Sequence, residues 1–257
     1  MKVVILAGGL GTRLAEETEI KPKPMVEIGE HPILWHIMKL YSCHGMKEFY
    51  LALGYKGDII KQYFLDYHRL RGSMTVNLVN DSVEVKKSGC EDWVIHLVDT
   101  GKETNTGGRV KRFQSALSDG TFMVTYGDGV GDVNLRQLLE FHRSHGRIAT
   151  VTAVRPPARF GELNFDDDNL ITHFTEKPQV GQGWINGGFL VFEPEVFDYL
   201  QGDSCSLEAS ALERLAADRQ LAAYPHGGFW QCMDTLRDKN LLKTLWEEGR
   251  APWNVWD

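Results

Sequence analysis

Apolar positions along the chain change their period in a regular order. Val3-Val4-Ile5-Leu6-Ala7 is an unbroken apolar run and predicts a short buried strand. Ile33, Leu34, Ile37, Met38 and Tyr41 then recur at helical spacing, between Pro32 as a starting residue and Gly45 as a stop. Residues 49–53 predict a second strand, and Ile59, Ile60, Tyr63, Phe64 and Tyr67 a second helix. The β-α-β-α order predicts a mostly parallel sheet with helices on both faces.

Between residues 72 and 100 the period drops to two. Met74, Val76 and Leu78 alternate with polar positions, as do Val83 and Val85, then Trp93, Ile95 and Leu97. Antiparallel strands inserted into the α/β pattern are expected here. Trp93 and its apolar neighbours suit either a subunit contact or extra sheet on one chain.

Helical spacing returns with Val110, Phe113 and Leu117, then at residues 134–145, 194–200 and 207–218. A last helix is expected to turn Leu236, Leu241, Leu242 and Leu245 inward. Strands are predicted at 121–126, 148–154, 184–192 and 221–224. A hairpin is predicted from 160–165 and 171–175, around a solvated acidic turn at Asp166-Asp167-Asp168-Asn169. The tail carries Trp253 and Trp256 and is expected to pack on the surface. No repeat, low-complexity tract or linker divides residues 1–257, so a single domain is predicted.

Charge narrows the partners. With 28 basic and 35 acidic residues the net charge is −7, so neither nucleic acid nor an anionic membrane is attracted in general. An anionic ligand needs a local cationic site. No apolar run approaches the roughly 18 residues that span a bilayer, and the N-terminus lacks the features of a signal peptide. Cys43, Cys90, Cys205 and Cys232 have no C-x-x-C spacing and read as free thiols of a reducing cytoplasm.

Such a cationic site is foreshadowed directly after the first strand. Gly8-Gly9-Leu10-Gly11-Thr12-Arg13 joins glycines, whose backbone can approach a phosphate closely, to a guanidinium fork. The spacing is not that of a P-loop, and Leu14 stands where a dinucleotide fingerprint needs its third glycine. Lys21-Pro22-Lys23-Pro24 is expected to be extended and to hold two cations on a stiff tether, or else to be a solvated turn. In residues 104–112 small polar groups and glycines lead into a helix, which suits a base edge and an anion, or is simply a capped start.

Asp128, between glycines at the end of a predicted strand, lies where open α/β sheets bind ligands and suits Mg²⁺. Asp234 reads as the N-cap of the last helix or as a second metal carboxylate. In the segments around Glu176-Lys177-Pro178 and Asn186-Gly187-Gly188, Glu and Asn suit sugar hydroxyls and Lys177 a phosphate. Turn chemistry accounts for both segments equally well.

Taken together, Leu6-Ala-Gly-Gly-Leu-Gly-Thr-Arg-Leu14, Lys21-Pro-Lys-Pro-Met25, Thr106-Gly-Gly-Arg109, Tyr126-Gly-Asp-Gly129, Glu176-Lys-Pro178, Asn186-Gly-Gly188 and Gly228-Phe-Trp-Gln-Cys-Met-Asp-Thr235 resemble the sugar-1-phosphate nucleotidylyltransferases, and their cytidylyl branch in particular. The likeness covers essentially the whole chain. It implies their Rossmann-like fold and transfer of CMP from CTP to α-D-glucose 1-phosphate, giving CDP-glucose and pyrophosphate. In this reaction the sugar phosphate attacks in line, assisted by Mg²⁺ and without a covalent intermediate.

The resemblance also assigns roles. Leu6, Ala7, Gly8, Gly9, Leu10 and Gly11 cradle the nucleotide, and Thr12 and Arg13 hold its β- and γ-phosphates. Lys23 acts at the α-phosphate, and Asp128 and Asp234 share Mg²⁺. Arg13, Lys23, Asp128 and Asp234 form the catalytic set. Thr104, Thr106, Arg109 and Gly127 complete the nucleotide site; Tyr126, Glu176, Lys177, Asn186 and Gly187 hold the sugar phosphate. Cys232 departs from the pattern, standing where a proline is expected. A cytoplasmic hexamer, with the 72–100 insertion at subunit contacts, and a place in O-antigen synthesis are further implications. Three alternatives stay open: UTP or dTTP as donor, another hexose 1-phosphate as acceptor, and an inactive nucleotide-sugar sensor on the same fold.

Overall fold

The computed structural model describes residues 1–70, 73–86, 91–156, 162–165, 170–175 and 183–256. The first apolar run is β1 (Lys2–Leu6), near the middle of a seven-stranded sheet. The other strands are β2 (Glu48–Leu53), β3 (Val94–Asp99), β4 (Phe122–Tyr126), β5 (Ala149–Val154), β6 (Ile185–Phe192) and β7 (Leu221–His226). Their order across the sheet is β7-β5-β6-β4-β1-β2-β3. Only β6 runs against its two neighbours. The chain builds outward from β1 to β3, then returns to β4 on the other side of β1. That reversal makes a topological switch point, where the loops leaving β1 and β4 diverge and leave a crevice.

Alternation along the strands explains why both faces are covered. Val3 and Ile5 face one apolar layer with Phe49, Leu51, Met123, Phe189 and Val191. Val4 and Leu6 face the other with Tyr50, Ala52, Val124, Leu190 and Phe192. Helices α1 (Ile33–Cys43) and α2 (Gly57–Leu70) close the first layer, with Ile33, Leu34, Ile37, Met38, Tyr41, Ile60 and Phe64 buried as the spacing requires. Helix α3 (Thr106–Lys111) packs Val110 into the second layer. Helix α4 (Leu135–His145) starts at its N-cap Asn134 and stops at a left-handed Gly146.

Several expectations need correction. Val94–Asp99 is not part of an antiparallel insertion: it pairs parallel with β2 as the edge strand β3. Its alternation came from half-exposure at a sheet edge, which reads like an antiparallel strand. The inserted hairpin is therefore Ser73–Asn77 paired with Ser82–Lys86. Trp93 packs on its own chain, 6.3 Å from Trp35 and 5.7 Å from Phe49 between ring centroids.

In the last helix, α5 (Leu236–Glu247), Leu236 and Leu241 are exposed, while Leu242 is buried and Leu245 packs against the core. Its N-cap is Thr235, not Asp234; Thr235 and Asp238 form a capping box. The predicted hairpin is present as Glu162–Phe165 with Ile171–Thr175, but Phe160 and the acidic turn at 166–169 lie outside the described residues. No helix among the described residues is long and apolar enough to cross a membrane.

The tail reaches further inward than a surface position. Trp253 is wholly buried, stacked 5.7 Å from Phe229 and 6.3 Å from Trp246. Its indole N–H donates to His36 Nδ1 at 3.4 Å, while His36 Nε2 bonds the Ile28 carbonyl at 2.9 Å. Burial pushes the His36 imidazole down to about 4, against the pull of the Ile28 carbonyl, while His31 lowers it through its charge and raises it through a backbone hydrogen bond. The unfolded chain therefore takes up a proton at this residue near pH 6.5, before the folded one does near pH 4. Folding stability is expected to fall by up to about 3 kcal/mol as pH drops through that window. Urea midpoints between pH 7.5 and 4 will show it, and His36→Gln should flatten the curve; parallel curves for the two proteins would rule the imidazole out.

Candidate active site

Loops at the C-terminal ends of β1 and β4 open into a cleft of about 570 Å³. Gly11 adopts φ +66° and turns the loop into a short 3₁₀ turn, Thr12–Leu14. Among the described residues, the backbone N–H groups of Gly9 through Arg13 donate to no other group of the chain. A run of unspent amides at the end of a parallel strand is suited to an anion.

Lys23 enters from below. Residues Lys23–Met25 form a 3₁₀ turn rather than an extended tether; Pro22 before it is extended, and Pro24 is tolerated because a first turn needs no N–H there. The turn buries Lys23 to 7% exposure. Its ammonium donates to Asp128 Oδ2 at 2.7 Å and Asp234 Oδ1 at 2.6 Å. Burial works against the charged form, but the two carboxylates outweigh it and raise the Lys23 pKa above its ordinary value. Arg13 Nη1 reaches the other oxygen of Asp234 at 2.6 Å. Asp234 is buried too, which alone would raise its pKa, yet Lys23 and Arg13 hold it below the usual carboxylate range.

Two short strands fix the acid pair. Gly129–Gly131 and Trp230–Cys232 run antiparallel, and Met233 N donates to Asp128 O at 2.8 Å. Both aspartates therefore sit on one rigid ribbon. Cys232, the departure from the expected proline, lies 3.7 Å from Asp234 Oδ2 and leaves that geometry intact. Burial and the neighbouring Asp234 push its thiol up to about 12, so the substitution adds no charge.

Arg109 is placed differently from a phosphate ligand. Its guanidinium donates to the carbonyls of Gly8, Leu53, Gly101 and Lys102 and to Thr100 Oγ1, at 2.7–3.3 Å. A Cβ on Gly8 would meet Arg109 Nη1 at 2.3 Å, and one on Gly54 at 2.6 Å. Gly8 thus makes room for a side chain of its own protein. The start of α3 is likewise spent internally: Asn105 caps Thr106 N, and Gly108 N donates to the Cys205 carbonyl. Gly107 and Gly108 let the 203–205 backbone pack against them, as a Cβ at Gly108 would lie 2.7 Å from Asp203.

Leu6, Ala7, Gly8, Gly9, Gly11, Thr12, Arg13, Lys23, Thr104, Thr106, Arg109, Tyr126, Gly127, Asp128, Asn186 and Asp234 line the one cleft. Leu10 points to solvent, and Gly187 lies behind the wall with its carbonyl accepting from Trp230 Nε1 at 2.7 Å. Glu176 and Lys177 fall outside the described residues. Glu208 and Trp230 also line the cleft, though neither was singled out for a role. The signal for Glu208 was weak: one acid, two residues after Ser206, inside what reads as an ordinary helix.

A loop of free amides, a buried lysine and two converging aspartates meet at this switch point, in a chain that belongs to the nucleotidyltransferase family: its model, nucleotidyl transferase, matches residues 2–235. The chain is 50% identical, over 100% of both chains, to the glucose-1-phosphate cytidylyltransferase of Salmonella typhi. It is 44% identical, again over 100% of both, to a probable glucose-1-phosphate cytidylyltransferase of Bacillus subtilis. Among solved structures, that of HddC from Yersinia pseudotuberculosis complexed with GMP-PN superposes with a TM-score of 0.65 at 25% identity, covering 95% of this chain and 99% of that one.

Proposed function

We propose that this protein transfers CMP from CTP to α-D-glucose 1-phosphate, releasing pyrophosphate and forming CDP-glucose. The carrying observation is the convergence of Arg13, Lys23, Asp128 and Asp234 at the mouth of the unspent amide loop, in a chain whose full-length relatives are named for this reaction.

A sugar phosphate oxygen attacks the α-phosphorus of CTP. The bond from that phosphorus to the bridging oxygen breaks, and both electrons leave with pyrophosphate. A phosphate monoester has a second pKa of about 6 and is already largely dianionic at neutral pH, so no general base is needed. Catalysis then rests on alignment and charge. The amides of residues 9–13 and the Arg13 guanidinium receive the β- and γ-phosphates, where negative charge accumulates. Lys23, kept cationic by its two carboxylates, serves the α-phosphate.

The donor set fits a divalent cation. The two carboxylates already converge on one cation, the Lys23 ammonium, and among the described residues no group of three or more His, Cys, Asp or Glu is arranged to hold a metal. Two carboxylates completed by substrate phosphates are what Mg²⁺ favours, so Asp128 and Asp234 would hold Mg²⁺. When bound, Mg²⁺ neutralises charge on the transferring phosphates. We read the assembly as a cytoplasmic hexamer, for which the exposed Val76, Leu78 and Val79 of the hairpin offer contact surface; light scattering on the purified protein will give its mass.

Pyrophosphate release, measured across four nucleoside triphosphates and several sugar 1-phosphates, is expected to be highest with CTP and glucose 1-phosphate and to stop with EDTA. Preference for UTP or dTTP would overturn the base assignment alone. No turnover with any pair would overturn the enzyme reading.

A further inference from the structure

Glu208 occupies the cleft wall that carries Tyr126 and Asn186, yet it sits on a different element from every residue discussed so far. Residues Leu207–Leu212 form a π-helical turn ahead of Glu213–Ala217, not the continuous α-helix that the apolar spacing predicts. Wide turns of this kind often mark functional sites. Ser206 caps the turn, and its hydroxyl donates to Glu208 Oε2 at 2.9 Å. Three bonds staple this segment to the start of α3. Asn105 N donates to Asp203 O at 2.8 Å, Gly108 N to Cys205 O at 3.1 Å, and Leu207 N to Thr106 Oγ1 at 2.9 Å. The carboxylate is held from two sides.

Hydrogen bonding then fixes the polarity of the wall. Thr106 Oγ1 donates to Glu208 Oε2 at 2.7 Å, and the Tyr126 hydroxyl donates to Glu208 Oε1. Burial would favour the neutral acid, but these donors hold Glu208 below its ordinary pKa, so it remains an ionised acceptor. A hydroxyl has one hydrogen, and both hydroxyls have spent theirs on Glu208. What they turn to the cleft is lone pairs only. Asn186 Nδ2 donates to the Tyr126 oxygen at 3.2 Å, and Gly188 N holds Asn186 Oδ1 at 2.8 Å. Gly188, at φ +80°, leaves room for the tyrosine ring; a Cβ there would lie 2.5 Å from it.

We propose that Glu208 is a positioning and specificity-determining residue that makes this wall accept hydrogen bonds from sugar hydroxyls and repel phosphate. The two sides of the cleft therefore differ: free amides and the donors Lys23 and Arg13, each paired with a carboxylate, at the glycine loop, and an ionised Glu208 with the acceptor oxygens of Tyr126 and Thr106 opposite. A sugar phosphate can enter in only one sense, its phosphate toward Lys23 and its hydroxyls toward Tyr126. This rests on the nucleotidyltransferase reading of the cleft.

The test compares Glu208→Gln with the unaltered protein, using glucose 1-phosphate and its 2-, 3-, 4- and 6-deoxy analogues. Glutamine keeps the shape but brings a donor, which frees the hydroxyls of Tyr126 and Thr106 to turn. KM for glucose 1-phosphate is expected to rise about tenfold, with KM for CTP nearly unchanged. At least one deoxy analogue should lose most of its penalty in kcat/KM in the variant, because the hydroxyl it lacks no longer has an oriented acceptor. Tyr126→Phe retains the ring, and it should erase the same penalty even if Glu208→Gln folds poorly. Equal deoxy penalties in all three proteins would overturn the role of Glu208 while leaving the enzyme reading standing. Absence of turnover in the unaltered protein would overturn both.

Discussion

Lys23→Ala is expected to lower kcat by about 10²–10³-fold, the usual cost of removing one donor aimed at developing charge. The CTP dissociation constant should move less than about tenfold, because the loop amides and Arg13 remain. Lys23 is almost wholly buried between two carboxylates, so its loss leaves Asp128 without its ion pair beside an Asp234 that only Arg13 still balances. Among the described residues no other cation pairs with both, since Arg13 reaches only Asp234. The variant should therefore bind Mn²⁺ without nucleotide more tightly than the unaltered protein, as read by electron paramagnetic resonance. Unchanged kcat would place the lysine away from the reacting phosphate. Weaker Mn²⁺ binding would mean that the carboxylates separate once the ammonium is gone.

Trp253→Ala should destabilise the fold by about 3–5 kcal/mol, the range for emptying a buried tryptophan site. Two losses add. The cavity removes ring contacts with Phe229, Trp246 and His36, and His36 Nδ1 loses its donor. The loss also reaches the active site. Phe229 leads directly into the Trp230–Cys232 strand, which ends two residues before Asp234, so a loosened tail is expected to loosen the carboxylate. Urea unfolding with a parallel activity measurement will separate these effects. A change below about 1 kcal/mol would show that the ring is dispensable.

Much of the architecture was legible because period and punctuation agreed. Pro32 and Gly45 bracketed α1, Asn134 and Gly146 bracketed α4, and unbroken apolar runs marked the central strands. Edge strand β3 was misread because half-exposure imitates antiparallel alternation. Asp234 was misassigned as a possible cap because Thr235, one residue on, has the same capping chemistry with a better partner in Asp238.

The cationic centre was visible in motifs that lie far apart in the chain. Glu208 was not, since a lone acid on a helical pattern carries no spacing signal, and the π turn that aims it leaves no trace in hydrophobic period. Arg109 was legible as a cleft residue but not as a brace. Only tertiary packing reveals that backbone carbonyls consume its donors.

That brace constrains how the loop can diverge. Gly8 and Gly54 come from separate loops, yet one guanidinium lies against both, and at Gly54 the Gly8 carbonyl crowds the same space, 2.7 Å from where a Cβ would stand. An alanine at either position is obstructed while Arg109 stays, whatever the loop's ligand tolerates. Three positions scattered over a hundred residues are thus tied into one inheritance unit. A substitution at position 109 would free the space beside Gly8, while Gly54 would stay confined by the Gly8 carbonyl.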